Sequence, residues 1–297
     1  MRYHDLRHIM GTEVEIMITT ERNPKTDIQA AFDIFSSFEE EFSRFSETSS
    51  LSLLNKERTR KVSDRFIAIV QQTKKNHADT QWYFNPLINV AQKWYSKSFD
   101  TWDFTKTEWT SDTDIEKLLV TENTITLGKN QQLDLWWIVK WVAVDEASEY
   151  LKKQWYQNFI VNAGGDIFTA GKASEDMPRI IWIDNPFDQS KVIATLRLKD
   201  KAIATSGRYK RHWKIWENQY HHIINPWDNT NKTEIISISV IHPQCTTADS
   251  YATACFNMGI KENLDFLEKN GMEWLVVSST GEISTTPWMK NHILTIL

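Results

Sequence analysis

A change of hydrophobic period near Thr124 constrains this chain more than any other feature. Upstream, Ile28, Ala31, Phe32, Phe35, Phe38 and Phe42 recur at helical spacing, which predicts an amphipathic helix over 27–42 with Thr26 or Asp27 as its cap. A second helix is predicted after Ser63, with Phe66, Ile67, Val70 and Ala78 on its inner face before the loop DTQWYFNP. Downstream come short runs that read as strands: TITL, QLDL, FIVN, RIIWI, KVIATLRL, AIAT, YHHII and IISISVI. Helices are predicted among them over 139–153, 247–258 and 261–270, the last closed by Gly271. The expectation is an α+β chain, with a helical layer in the N-terminal half packed on a sheet-rich C-terminal half. No linker interrupts it, so a single domain over 1–297 is expected, with lobes of about 1–120 and 121–297.

Composition removes several functions. Lys+Arg number 34 against Asp+Glu 39, a net charge of -5, which leaves no basic surplus for nucleic acid. No apolar run approaches the ~20 residues that span a bilayer. The start MRYHDLRHIM has no signal-peptide core, so the chain as given is expected in the cytoplasm, unless an N-terminal export segment is missing. Cys245 and Cys255 have neither zinc-site spacing nor the numbers for a disulfide framework, and read as packing residues. Glycine is scarce, at 9 residues, and tryptophan abundant, at 14.

Chemistry collects in three stretches. In TTADSYATACFNMG, Asp249 and Thr253 are four apart, hence on one helix face, and such an oxygen pair suits Mg²⁺. The competing structural reading sets Asp249 against the positive end of the helix and Thr253 on a backbone carbonyl. In VNAGGDIFTAG, Gly164 and Gly165 join a strand to a turn that can approach a ligand. In YHHIINP, His221 and His222 point to opposite faces of a strand, so at most one reaches a given site.

Taken in order, MGTEVEI, SRFSETSSLSLLN, YFNP, LDLWWIVKWVAVDEA, VNAGGDI, ATSGRY, HHIINP and ADSYATA resemble the ApbE family of FAD:protein FMN transferases over nearly the whole chain. The resemblance implies a T-fold-like C-terminal half and an FAD cleft between the two lobes. It implies FAD contacts at Met10, Phe45, Tyr83, Phe84, Asn85, Lys140, Glu146 and Ile223. It implies Mg²⁺ held by Asp249, Thr253 and the carbonyls of Ala143 and Ala252, with His222 beside the flavin as the candidate proton-transfer residue. The implied reaction moves FMN from FAD to a Thr or Ser of an acceptor protein, typically a redox-complex subunit, and releases AMP. Two alternatives stand beside it: an FAD pyrophosphatase giving FMN and AMP, and a silent flavin-binding protein.

One departure recurs. Trp136, Trp137 and Trp141 stand where the family has a glycine-rich loop, and the same exchange is read at Trp82, Trp155, Trp182, Trp216 and Trp288. Indoles at these positions are expected to obstruct the pocket. The preferred account is a codon read as Gly in the host, such as UGA under a variant code, translated as Trp; the alternative is a degenerate, catalytically silent relative whose indoles fill the cleft.

Overall fold

The computed structural model describes residues 1–88, 112–173, 177–209, 212–215, 218–221, 223–228, 230 and 234–296. Its helices are α1 (Lys25–Phe42), α2 (Ser50–Glu57), α3 (Asp64–Asp79), α4 (Trp136–Lys153), α5 (Cys245–Asn257) and α6 (Ile260–Lys269). Its strands are β1 (Arg2–Ile9), β2 (Thr12–Thr19), β3 (Thr59–Lys61), β4 (Leu119–Val120), β5 (Thr124–Thr126), β6 (Phe159–Ala163), β7 (Asp166–Ala170), β8 (Arg179–Asp184) and β9 (Val192–Leu198). They continue with β10 (Lys201–Gly207), β11 (His212–Ile215), β12 (Asn218–His221), β13 (Ile235–His242), β14 (Glu273–Ser278), β15 (Ile283–Thr285) and β16 (Ile293–Ile296). The α+β class is as expected.

An eight-stranded antiparallel sheet in the order β1-β2-β6-β7-β10-β13-β14-β15 organises the molecule. Its period-2 alternation feeds two cores. From β13 and β14, Ile238, Val240, Trp274 and Val276 point to the core shared with α1, α4 and α5, while Ile236, Ile241, Leu275 and Val277 point to a second core under the sheet β16-β9-β8. A strand buried on both faces must be continuously apolar, as IISISVI nearly is. From β2 and β6, Val14, Ile16, Ile18, Phe159 and Val161 face the helical core.

The sequence reading missed β1 and β2. They belong to the same sheet as β6, so the sheet runs across the expected lobe boundary near residue 120. The helical faces were legible: all six apolar positions expected of α1 are buried, and the Ser63 hydroxyl accepts from the Phe66 N–H at 3.0 Å to cap α3. Neither Thr26 nor Asp27 caps α1, whose N-cap is Pro24; Asp27 instead accepts from the hydroxyls of Tyr150 (3.0 Å) and Tyr156 (2.5 Å). Ala78, expected inside, is exposed. QLDL is not a strand: Asp134 within it caps the start of α4, accepting from the Trp136 N–H at 3.0 Å and pairing with Arg44 at 3.0 Å.

Two of the suspect tryptophans have backbone geometry that glycine favours: Trp82 has φ 70° and Trp155 φ 65°. Trp216 lies outside the described residues.

Candidate functional site

A cleft of about 770 Å³ opens beside the start of α4, within the usual range for a small-molecule site. It is lined by Tyr83, Phe84, Asn85, Asp134, Trp137 and Lys140 together with Ser206, Ile223, Asp249 and Thr253. It continues past the Gly164–Gly165 turn to the outer face of β2, β6 and β7, with Glu15, Met17, Ile160 and Asn162.

Each polar group has a structural reason for its place. His77, at the end of α3, donates from Nδ1 to the Phe84 carbonyl at 2.7 Å, and Asn85 Nδ2 donates to the Thr113 carbonyl at 3.1 Å, which holds the aromatic turn against the cleft. Burial lowers the His77 pKa below its ordinary value, keeping the imidazole neutral and suited to that bond. Burial, then the nearby Glu262 and Asp228 carboxylates, raises the Tyr83 phenol. Gly164 is obligatory: its φ is 65°, and a Cβ there would lie 2.3 Å from the Thr12 hydroxyl.

Lys140 forms a buried ion pair with Asp166 at 2.5 Å, and the Trp141 indole N–H donates to the same carboxylate oxygen at 3.1 Å. On α5, Asp249 is 4% exposed and its Oδ2 accepts from the Thr253 hydroxyl at 3.4 Å; Thr253 Oγ1 is also 3.2 Å from Ser206 Oγ. The donors offered to the cleft here are oxygens, the set that Mg²⁺ selects. Among the described residues no group of three or more His, Cys, Asp and Glu side chains is placed to hold a metal, so a cation at Asp249 and Thr253 must draw further ligands from carbonyls, water or a phosphate-bearing substrate.

The expected site residues therefore divide. Tyr83, Phe84, Asn85, Lys140, Ile223, Asp249 and Thr253 meet at the cleft. Ala143 and Ala252 are fully buried behind it on α4 and α5. Met10 is buried in the turn between β1 and β2, with φ 57° and its N–H on Glu39 Oε1 at 3.0 Å; Phe45 packs edge-on to Trp136 with ring centroids 5.8 Å apart. Neither is among the cleft's lining residues, and neither is Glu146, whose pKa burial raises, with Arg65 opposing and Glu41 reinforcing. His222 lies outside the described residues.

Sequence reasoning passed over Asp134, Asp166 and Ser206. Asp166 lies within the VNAGGDI stretch, so its signal was present without a role. Asp134 was hidden by the strand reading of QLDL.

Nor do the indoles close the cleft. Trp136 packs in the core, Trp141 is buried in the core and also lines the cleft, and Trp137 and Trp182 line the cleft as well. The expected obstruction is not found: the cleft keeps a volume of about 770 Å³ with Trp136, Trp137, Trp141 and Trp182 in place.

The ApbE family model matches residues 10–276, and the chain belongs to the ApbE family. It is 32% identical over 173 residues to an FAD:protein FMN transferase of Vibrio cholerae, an alignment covering 57% of this chain and 52% of that protein. A Chlamydia trachomatis FAD:protein FMN transferase is 35% identical over 149 residues, 46% of this chain and 43% of that one. The chain thus spans about half the length of the curated relatives it matches. The fold agrees with the crystal structure of the ApbE protein of Thermotoga maritima, at TM-score 0.89 and 23% identity over 98% of this chain and 99% of that one. It agrees also with an apo flavinyl transferase ApbE of Pseudomonas stutzeri, at TM-score 0.85 and 17% identity over 100% and 98%.

Proposed function

We propose that this chain transfers FMN from FAD to a Thr or Ser hydroxyl of an acceptor protein in a Mg²⁺-dependent reaction. The observation that carries the reading is the convergence, in one cleft, of the Tyr83-Phe84-Asn85 turn and Lys140 with the Asp249–Thr253 oxygen pair. The relatives named as FAD:protein FMN transferases supply the substrate pair.

The acceptor hydroxyl oxygen bonds to the FMN-side phosphorus, the bond to the bridging oxygen breaks, and AMP leaves with that electron pair while the hydroxyl proton passes to base or solvent. Asp249 and Thr253 would hold Mg²⁺, whose contribution is to offset the charge of the diphosphate. The chain's own part is binding and positioning. The aromatic turn offers stacking surface for a flavin or adenine ring. Lys140, oriented by its ion pair with Asp166, places an ammonium donor at the cleft near the start of α4. The acceptor is proposed to be a redox-complex subunit.

Incubation with FAD, Mg²⁺ and a candidate acceptor tests this. Flavin fluorescence that stays with the denatured acceptor supports transfer; free FMN and AMP with an unlabelled acceptor mark a hydrolase instead; neither product marks a silent flavin binder. Asp249→Ala is expected to abolish transfer with the fold retained.

A further inference from the structure

Helix α5, which carries both side chains of the proposed cation site, begins without a cap of its own: Gln244 is the N-cap residue and its side chain makes no capping bond. The orphan N–H groups of a first turn need acceptors, and a carboxylate also suits the positive end of the helix. Here the carboxylate comes from another helix. Asp145, midway along α4, accepts from the Cys245 N–H at 2.7 Å through Oδ1, and through Oδ2 from the Thr246 N–H at 2.9 Å and the Thr246 hydroxyl at 2.6 Å. Three donors on one half-buried carboxylate fix the rotation of α5 about its axis as well as its height along α4.

We propose that Asp145 is the positioning residue of the cation site, a cap supplied across helices that sets Asp249 and Thr253 against α4. The proposal rests on the Mg²⁺ reading of that pair. Asp249 lies one helical turn beyond Cys245, on the same face, so a rotation or slip at the first turn is carried directly to its carboxylate. Ala143 stands two residues before Asp145 on α4, so the same carboxylate ties together both helices of the proposed ligand set.

The test measures Mg²⁺ binding without turnover, as the Mg²⁺ concentration that gives half of the FAD-dependent rise in Tm. In Asp145→Asn the amide keeps the size but faces N–H donors with an NH₂ group. Loss of such supporting interactions typically costs 10-fold or more in metal affinity, so the half-saturating Mg²⁺ is expected to rise about tenfold. FAD protection at saturating Mg²⁺ should be retained, which general loosening of the fold would not allow. Thr246→Val, which removes one of the three bonds, should move the titration in the same direction by less, and it decides the matter if Asp145→Asn fails to fold. A variant titration that overlays the unmodified chain overturns the positioning role alone. An unmodified chain with no Mg²⁺ response overturns this role and the metal reading together.

Discussion

The two ends of α4 receive tryptophan in opposite ways. At its start, Trp136 and Trp141 are 9% and 3% exposed; one packs edge-on to Phe45 and the other gives its indole N–H to Asp166. At its end, Trp155 is 88% exposed with φ 65°. There its N–H bonds the Lys152 carbonyl at 2.8 Å and the Tyr156 N–H bonds Leu151 at 3.1 Å. Helix α6 ends in the same way, Gly271 (φ 65°) bonding Glu268 at 3.0 Å and Met272 bonding Leu267 at 3.0 Å. The closing motif requires a left-handed residue, normally glycine. Side-chain packing thus accommodates tryptophan at one end of the helix, whereas backbone conformation argues for glycine at the other. A misread glycine codon is supported by conformation at 82 and 155, not by obstruction at 136 and 141.

The largest expected effect tests the start of the helix. Trp141→Gly removes a buried indole and should lower unfolding free energy by about 4 kcal/mol in urea denaturation, in line with other large-to-small core changes. A neutral or stabilising result would mean that this end was also built for glycine. Trp155→Gly should instead raise stability by about 1–2 kcal/mol through relief of the left-handed conformation. If it lowers the denaturation midpoint, the contrast between the ends is lost. Peptide masses of the protein from its own host should show glycine at 82 and 155 if the codon account holds; tryptophan there would end it. Gly271→Ala is the reciprocal change, and since an added Cβ meets nothing within 4 Å, its cost of about 1 kcal/mol should be purely conformational.

The smallest effect concerns the end of α3, where Trp82 follows His77. Burial holds the His77 pKa below its ordinary value, so the unfolded state takes up a proton first as pH falls through that ordinary value of 6.5. Stability should be intact above that pH and decline below it, and the decline should shrink in His77→Gln to the part that comes from His242, whose pKa burial also lowers. Thermal melts at pH 7.5 and 5.5 would show both.

These helix ends show what sequence made legible. The buried faces of α1 and, apart from Ala78, of α3 follow from spacing, because burial of a 3.6-period stripe depends on local pattern. The β1–β2 hairpin was missed because alternate residues of β1 are exposed and its role depends on β6, far along the chain. In the site, Asp249 and Thr253 were readable as a pair four residues apart. Asp145 was not, because its partners Cys245 and Thr246 lie 100 and 101 residues away and no local pattern announces a cap from another helix.

The hairpin's place in the sheet also bears on how the chain is made. Asn162 of β6 bonds Glu15 of β2 across 147 residues of sequence. At synthesis rates of about 5–20 residues per second, the first strands leave the ribosome on the order of ten seconds before their partner strand exists. During that interval the inner edge of β2 is an unpaired ladder, open to any other extended segment. Glu13 and Glu15 place charge along it, as edge strands that must wait commonly do. Nascent-chain survival should therefore depend on those two carboxylates more than the finished sheet does.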